Sequence, residues 1–344
     1  MCHKRVVVTH YGGPEVITVI EEDIPTPKVG EIRVKVLAAG VSLPDVLARE
    51  GVHPETPRVP FTPGWDLVGI VDLLGEGVTG FELRQTVAAM PIHGCYAQYV
   101  CVPQHKLVPV PAGLDAAEAV AVVLNYVTAY QMLHRSAKAK AGQRMLIHGA
   151  SGGVGSAMLQ LAKLAGVEMY GTCSAEGATV VRELGGIPID YKNADFVKEI
   201  RRLTPDGVDA VFDGIGGLWR SRDALREGGR VVTYGFQSKM RGGRMASGRG
   251  GRHPIRESAE LGWYIVRNWF KFGRKSMIPY SIQWLMRIKP AWFRDDLLKL
   301  LDLLKQGKIK PLIARRLPLE EARRAHEMLG EGGVLGKIVL LPNG

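Results

Sequence analysis

At 344 residues, with 46% hydrophobic side chains and a mean hydropathy of +0.01, the chain is long enough for two packed domains and too balanced for a disordered or fibrous protein. No apolar run approaches the roughly 18 residues of a membrane span, the opening Met1-Cys2-His3-Lys4-Arg5 is not a signal peptide, and Cys2, Cys95, Cys101 and Cys173 lack metal-ligand spacing, so a cytoplasmic protein with reduced thiols is expected. The net charge of +11 is local: residues 238–275 hold ten Lys/Arg against Glu257 and Glu260, which argues against a basic, nucleic-acid-coating chain and predicts no specific nucleic-acid partner.

Up to about residue 123 the pattern is short strands and turns. Apolar segments at 6–8, 16–20, 32–38, 67–74, 86–90 and 96–100 are punctuated by Pro25, Pro27, Pro54, Pro57, Pro60, Pro63, Pro103, Pro109 and Pro111, which predicts a β-rich domain. Then Met145–Ile147 runs into Gly149-Ala150-Ser151-Gly152-Gly153-Val154-Gly155 and a helical pattern at 157–164. A strand, a tight A-x-G-x-x-G turn and a helix make a dinucleotide site. Gly152 lets the backbone approach a pyrophosphate, Gly155 lets the helix pack on the strand, and the helix N-terminus offers free N–H groups. The alternation continues with strands at 167–172, 187–189, 208–212 and 231–234 and helices at 175–184 and 194–203, which predicts a doubly wound parallel sheet.

NAD sites place an acid at the end of the second strand for the ribose 2′-OH. Here Thr172-Cys173-Ser174 stands there, with Glu176 just beyond. A small hydroxyl residue leaves room for a 2′-phosphate, and Arg182 and Lys192 are candidate countercharges, so NADPH is favoured over NADH. Solvated surface cations are the competing reading of those two side chains. Further on, residues 238–253 read as a basic Arg/Gly loop, followed by aromatics interleaved with cations at 263–272. A last strand is expected at 334–341.

Seven ordered segments resemble the medium-chain dehydrogenase/reductase superfamily in its zinc-free quinone oxidoreductase branch: residues 11–16 (YGGPEV), 40–45 (GVSLPD), 60–69 (PFTPGWDLVG), 128–130 (TAY), the 149–155 loop, 212–217 (FDGIGG) and 333–340 (GVLGKIVL). Residues 125–130 (NYVTAY) are also similar to a vesicle amine transport protein-like subgroup. The resemblance implies an α/β chain with a GroES-like β-rich catalytic domain at 1–124, completed by 310–344. A Rossmann NADP-binding domain at 125–309 would carry a basic/aromatic insert at about 238–293, with the site between the domains. It implies a homodimer. Ser42 and Trp65 stand where zinc members place ligands, and neither serves zinc, so no metal is expected.

The same resemblance puts Ala150, Gly152, Gly153, Val154 and Gly155 on the pyrophosphate, Ser174 and Tyr191 at the 2′-phosphate, Thr128 and Gly235 beside the nicotinamide, and Lys337 near the cofactor. Many relatives carry a basic residue at the place of Gly177, which tempers the NADPH expectation. The implied reaction is hydride transfer from NADPH to an electrophilic small-molecule acceptor, a quinone or an α,β-unsaturated carbonyl, with Ser42, Asp45 and His53 as candidate catalytic residues. Relatives often have Asn at the place of Ser42 and Tyr at that of His53. A histidine there could protonate the acceptor near neutral pH, or be an ordinary loop residue. Two other readings stay open: an enoyl-thioester reductase, and a peripheral membrane or adaptor protein with little turnover that touches anionic lipid through 238–275. For the insert, a dimer interface or a roof over the cleft is the favoured alternative to membrane contact.

Overall fold

The computed structural model describes residues 2–234 and 274–344. These form two compact units, Met1–Val127 with Pro290–Gly344, and Thr128–Lys289. Gly235 and the 238–273 part of the insert lie outside the described residues.

In the first unit, β1 (Cys2–Val8) and β2 (Ile17–Asp23) form an antiparallel hairpin. The long strand β3 (Glu31–Val41) is central. Ile32, Val34, Val36 and Ala38 alternate with half-exposed residues along it, the period-2 pattern of a strand with one buried face. Next come α1 (Leu43–Arg49), β4 (Leu67–Leu74), β5 (Thr86–Ala89), β6 (Tyr99–Pro103), β7 (Val108–Pro109) and α2 (Ala116–Ala121). Asp115 caps α2 by accepting the Glu118 N–H at 2.9 Å. The helical path then widens into π turns at Val122–Tyr126, passes through α3 (Val127–Tyr130) and widens again at Gln131–Ser136.

The C-terminal residues return to this unit. α9 (Pro290–Lys305) buries Phe293, Leu297, Leu300, Leu301 and Leu304, and Arg294 donates to the Leu107 carbonyl at 2.9 Å. That helix therefore groups with residues 1–127 rather than with the nucleotide-type sheet. After it come β14 (Ile313–Pro318), α10 (Ala322–Glu331) and β15 (Lys337–Leu341). The sheet order is β14-β15-β3-β4-β5-β7, with β6 also on β3. β15 starts at Lys337 because Gly332, Gly333 and Gly336 all take positive φ, which an extended strand cannot contain. β6 starts at Tyr99 rather than 96 because the Tyr96 N–H is spent on the Pro63 carbonyl.

The second unit is a six-stranded parallel sheet. Its elements are β8 (Arg144–His148), α4 (Gly153–Leu164), β9 (Glu168–Cys173), α5 (Ala178–Glu183), β10 (Ile187–Asp190), α6 (Phe196–Leu203), β11 (Val208–Asp213), α7 (Leu218–Asp223), β12 (Leu225–Thr233), β13 (Ser276–Pro279) and α8 (Ile282–Ile288). The order β10-β9-β8-β11-β12-β13 is 3-2-1-4-5-6 in chain order, the doubly wound arrangement. Leu146, Ile147, Val211, Phe212, Val231 and Val232 are fully buried, because helices cover both faces of such a sheet and its strands read as unbroken apolar runs.

Candidate active site

The chain order of the parallel sheet reverses between β8 and β11, and the carboxyl ends of these strands are where open α/β sheets hold ligands. The glycine loop leaves β8 there. Gly149 takes φ +70°, a left-handed turn that favours glycine, and Gly152 caps α4. A Cβ on Gly155 would run into the Gly149 carbonyl oxygen and lie 2.6 Å from the Ala150 Cα, so only glycine fits where helix and loop cross. A Cβ on Gly152 would meet the Gly149 oxygen at 3.4 Å, an ordinary contact. The demand at 155 comes from helix packing, and among the described residues the space at 152 is left open. Ala150, Gly153 and Val154 complete this turn, and the first N–H groups of a twelve-residue helix end on it.

The ends of β9 and β10 carry Ser174 and Tyr191. Tyr191 is half exposed and its N–H bonds the Cys173 carbonyl at 3.2 Å, which draws the two strand ends together. The Ser174 hydroxyl bonds Glu176, and that bond holds the Glu176 carboxyl below its usual range. Gly177 is confined: a Cβ there would lie 2.7 Å from Ser151 Oγ and 2.8 Å from Ser151 Cβ. Thr128 is buried on α3.

In the first unit Ser42, Asp45 and Lys337 share one buried cluster. Pro44 in the first turn starts α1, and the Asp45 side chain reaches back to accept the Ser42 N–H at 2.9 Å and the Ser42 Oγ–H at 2.6 Å. Its other oxygen accepts the Gly64 N–H at 2.8 Å. Gly64 sits at φ +106°, with the Tyr96 ring where a side chain would go. Burial raises the Asp45 carboxyl to about 6, against the hydrogen bonds from Ser42 and Gly64 and the Lys337 charge. The Lys337 ammonium lies 3.5 Å from Asp66, and both side chains are buried. Burial likewise raises Asp66. Gly40 makes room for this pair, since a Cβ there would come within 2.7 Å of Lys337 Nζ.

His53 packs edge-on against Trp65, ring centroids 5.4 Å apart. Burial lowers it to about 4, and the nearby His93 adds to the shift. The Glu55 N–H donates to His53 Nδ1 at 3.1 Å, so the proton of the neutral ring sits on Nε2. His53 is thus a hydrogen-bond donor at neutral pH, and the imidazolium considered above is not its resting form.

Two family profiles match in order: the one described as "Alcohol dehydrogenase GroES-like domain" over residues 28–112, and "Zinc-binding dehydrogenase" over 186–340. The quinone oxidoreductase of Rattus norvegicus is 30% identical, with 98% of this chain and 97% of that protein covered. The chain belongs to the medium-chain dehydrogenase/reductase superfamily. The "Synaptic vesicle membrane protein VAT-1 homolog" of Rattus norvegicus is 31% identical, covering 98% of this chain and 84% of that one. Among solved structures, Escherichia coli quinone oxidoreductase complexed with NADPH superposes with a TM-score of 0.85 at 27% identity, covering 98% of this chain and all of that one. This dehydrogenase/reductase is accordingly an α/β protein with a GroES-like domain and a Rossmann-type parallel sheet, in a family of oxidoreductases.

Despite one profile's description, no group of three His, Cys, Asp or Glu side chains that could hold a metal occurs among the described residues. No described helix is long and apolar enough to cross a membrane. Sequence reasoning passed over His148, which ends β8 with both ring nitrogens bonded, and Asp213 and Ser221 opposite it. A polar residue closing an apolar strand just before the glycine loop is the signal that marked it.

Proposed function

We propose that the chain is a zinc-independent, NADPH-dependent oxidoreductase that reduces a quinone or an α,β-unsaturated carbonyl. The observation that carries this reading is the A-x-G-x-x-G turn at the switch point of a 3-2-1-4-5-6 sheet, with Gly155 sealed by packing and Gly152 left open. When bound, a nicotinamide supplies the hydride. The protein's part is to hold and orient. The N–H groups around Gly152, Gly153, Val154 and Gly155 would take the pyrophosphate, with Ala150 against it. Ser174 and Tyr191, with Lys192 next in sequence, would take the 2′-phosphate. Thr128 would lie against the nicotinamide, Lys337 near the cofactor, and Gly235, outside the described residues, beside the ring.

Negative charge developing on the acceptor oxygen needs donors. His53 Nε2–H is one. Ser42 is the other, and its direction depends on Asp45: the ionised carboxylate draws the Ser42 proton towards itself, whereas the protonated acid donates to Ser42 Oγ and frees the Ser42 O–H for the acceptor. The proposed setting is cytoplasmic and homodimeric. NADPH oxidation, with NADH in parallel, across quinones, enals and enoyl thioesters tests the reading. Turnover selective for NADPH with quinones or enals is expected. Cofactor binding without turnover would overturn the catalytic assignment.

The relative described as a vesicle membrane protein favours a second reading, a peripheral membrane protein of low turnover. Cosedimentation with anionic vesicles that is lost when the arginines of 238–275 are neutralised would support it. Absence of sedimentation would remove it.

A further inference from the structure

Four buried side chains link the two loops that flank the switch point. The Gly149 N–H donates to Thr172 Oγ1 at 3.2 Å, and Thr172 Oγ1 lies 3.1 Å from His148 Nδ1. His148 Nε2 lies 3.2 Å from Ser221 Oγ, and Ser221 Oγ donates to Asp213 at 2.8 Å. The second Asp213 oxygen gathers the N–H groups of Ile215 at 2.9 Å, Gly216 at 2.8 Å and Gly217 at 3.3 Å. His148, Thr172, Ser221 and Asp213 are all buried.

The hydrogens along this chain have one consistent assignment. Asp213 accepts from Ser221, so Ser221 must accept from His148 Nε2–H. His148 Nδ1 then carries no proton and accepts from the Thr172 hydroxyl, whose oxygen takes the Gly149 N–H. Burial keeps His148 below its ordinary titration range, consistent with this neutral tautomer, and Phe196 covers the ring edge-on at 4.8 Å. The chain starts at the glycine loop on β8 and ends at the 213–217 loop on β11, running beneath the crevice where a nucleotide would lie. Gly149 at φ +70° is the turn it fixes on one side, and Gly216 at φ +81° on the other.

We propose that His148 is a positioning residue: the Thr172–His148–Ser221–Asp213 chain locks the glycine loop to the 213–217 loop as one unit, and so sets the affinity for a nicotinamide dinucleotide. The proposal rests on the cofactor reading above. A histidine that merely filled the core would contribute to stability alone.

A double-mutant cycle on the full chain decides it, reading the NADPH dissociation constant by fluorescence and the melting midpoint in the same samples. Thr172→Val and Ser221→Ala each keep the local shape and break the chain at a different link. Each is expected to weaken NADPH about tenfold. The double variant should be no weaker than the worse single, because either break already opens the unit. A His148→Gln variant, which retains a donor towards Ser221 alone, should match Thr172→Val. Additive losses in the double variant, or lowered melting with unchanged affinity of the folded protein, would overturn the proposal. Failure of the wild type to bind either NADPH or NADH would instead bring down the cofactor reading on which it stands.

Discussion

Gly155 and Gly152 should respond in opposite ways to the same added methyl group. At Gly155 the new Cβ would overlap the Gly149 carbonyl oxygen and sit 2.6 and 2.7 Å from the Ala150 Cα and carbonyl carbon. All three are backbone atoms of a turn held by neighbouring hydrogen bonds, so α4 has to move outward by several tenths of an ångström. Overpacking of this kind costs about 1–3 kcal/mol, partly offset by the roughly 1 kcal/mol gained on replacing glycine within a helix. A net loss of up to about 2 kcal/mol lowers the melting midpoint of a domain of this size by up to about 8 °C. At Gly152 the Cβ meets an oxygen at 3.4 Å and nothing gives way. Gly152→Ala costs less than about 1 kcal/mol, the difference between glycine and alanine as helix caps, but its methyl group occupies the face a pyrophosphate must approach. Gly155→Ala should therefore melt early, and Gly152→Ala should melt close to wild type yet bind NADPH at least tenfold more weakly. Thermal melts with fluorescence titration of NADPH read both. Equal stability of the two variants, or undiminished NADPH binding by Gly152→Ala, would refute the packing argument.

Other outcomes follow from the charged groups. Turnover should fall as pH rises through about 6, where Asp45 ionises and turns the Ser42 proton away from the acceptor; in Asp45→Asn, which does not ionise, this fall should be absent. His326 is fully buried and lowered to about 3 by burial and by the Arg49 guanidinium. Its folded value lies below the unfolded 6.5, so the unfolded chain binds the extra proton and stability is lost as pH falls from 6.5 towards 3. At pH 5 this amounts to about 2 kcal/mol, and denaturant titrations should show His326→Gln losing less between pH 7 and 5 than the wild type. Gly177→Arg alone should fail to tighten NADPH binding, because its Cβ strikes Ser151, whereas Ser151→Gly with Gly177→Arg should tighten it without a matching gain for NADH. Glu176→Gln, which removes an acid bonded to Ser174, should favour NADPH in the same titration.

What could be read in the sequence was local. The glycine turn was legible because its constraint, a helix crossing a strand within a few residues, is steric and contiguous. The strands of the parallel sheet were legible because burial on both faces leaves consecutive apolar residues at 145–147, 210–212 and 231–232. The π-widened turns at 122–126 and 131–136 were not, since an i→i+5 turn differs from an α turn only in which backbone groups pair, and that leaves no mark in composition. The amphipathic pattern of α9 shows a buried face but not which unit covers it.

Distance along the chain hid the polar clusters. His148 lies 24 residues from Thr172 and 73 from Ser221, and Lys337 lies 271 from Asp66. A lone histidine or lysine in a sequence has no visible partner, and its ordinary fate is solvent or core. Its partner becomes apparent only when the sheet order brings the strand ends together. The two kinds of residue also bear different burdens. The glycines define where a nucleotide can lie, and substitution there blocks it outright. The buried polar chains define how firmly the surrounding loops are held. Their loss is graded and non-additive, so double-mutant cycles rather than single substitutions separate a positioning role from simple core filling.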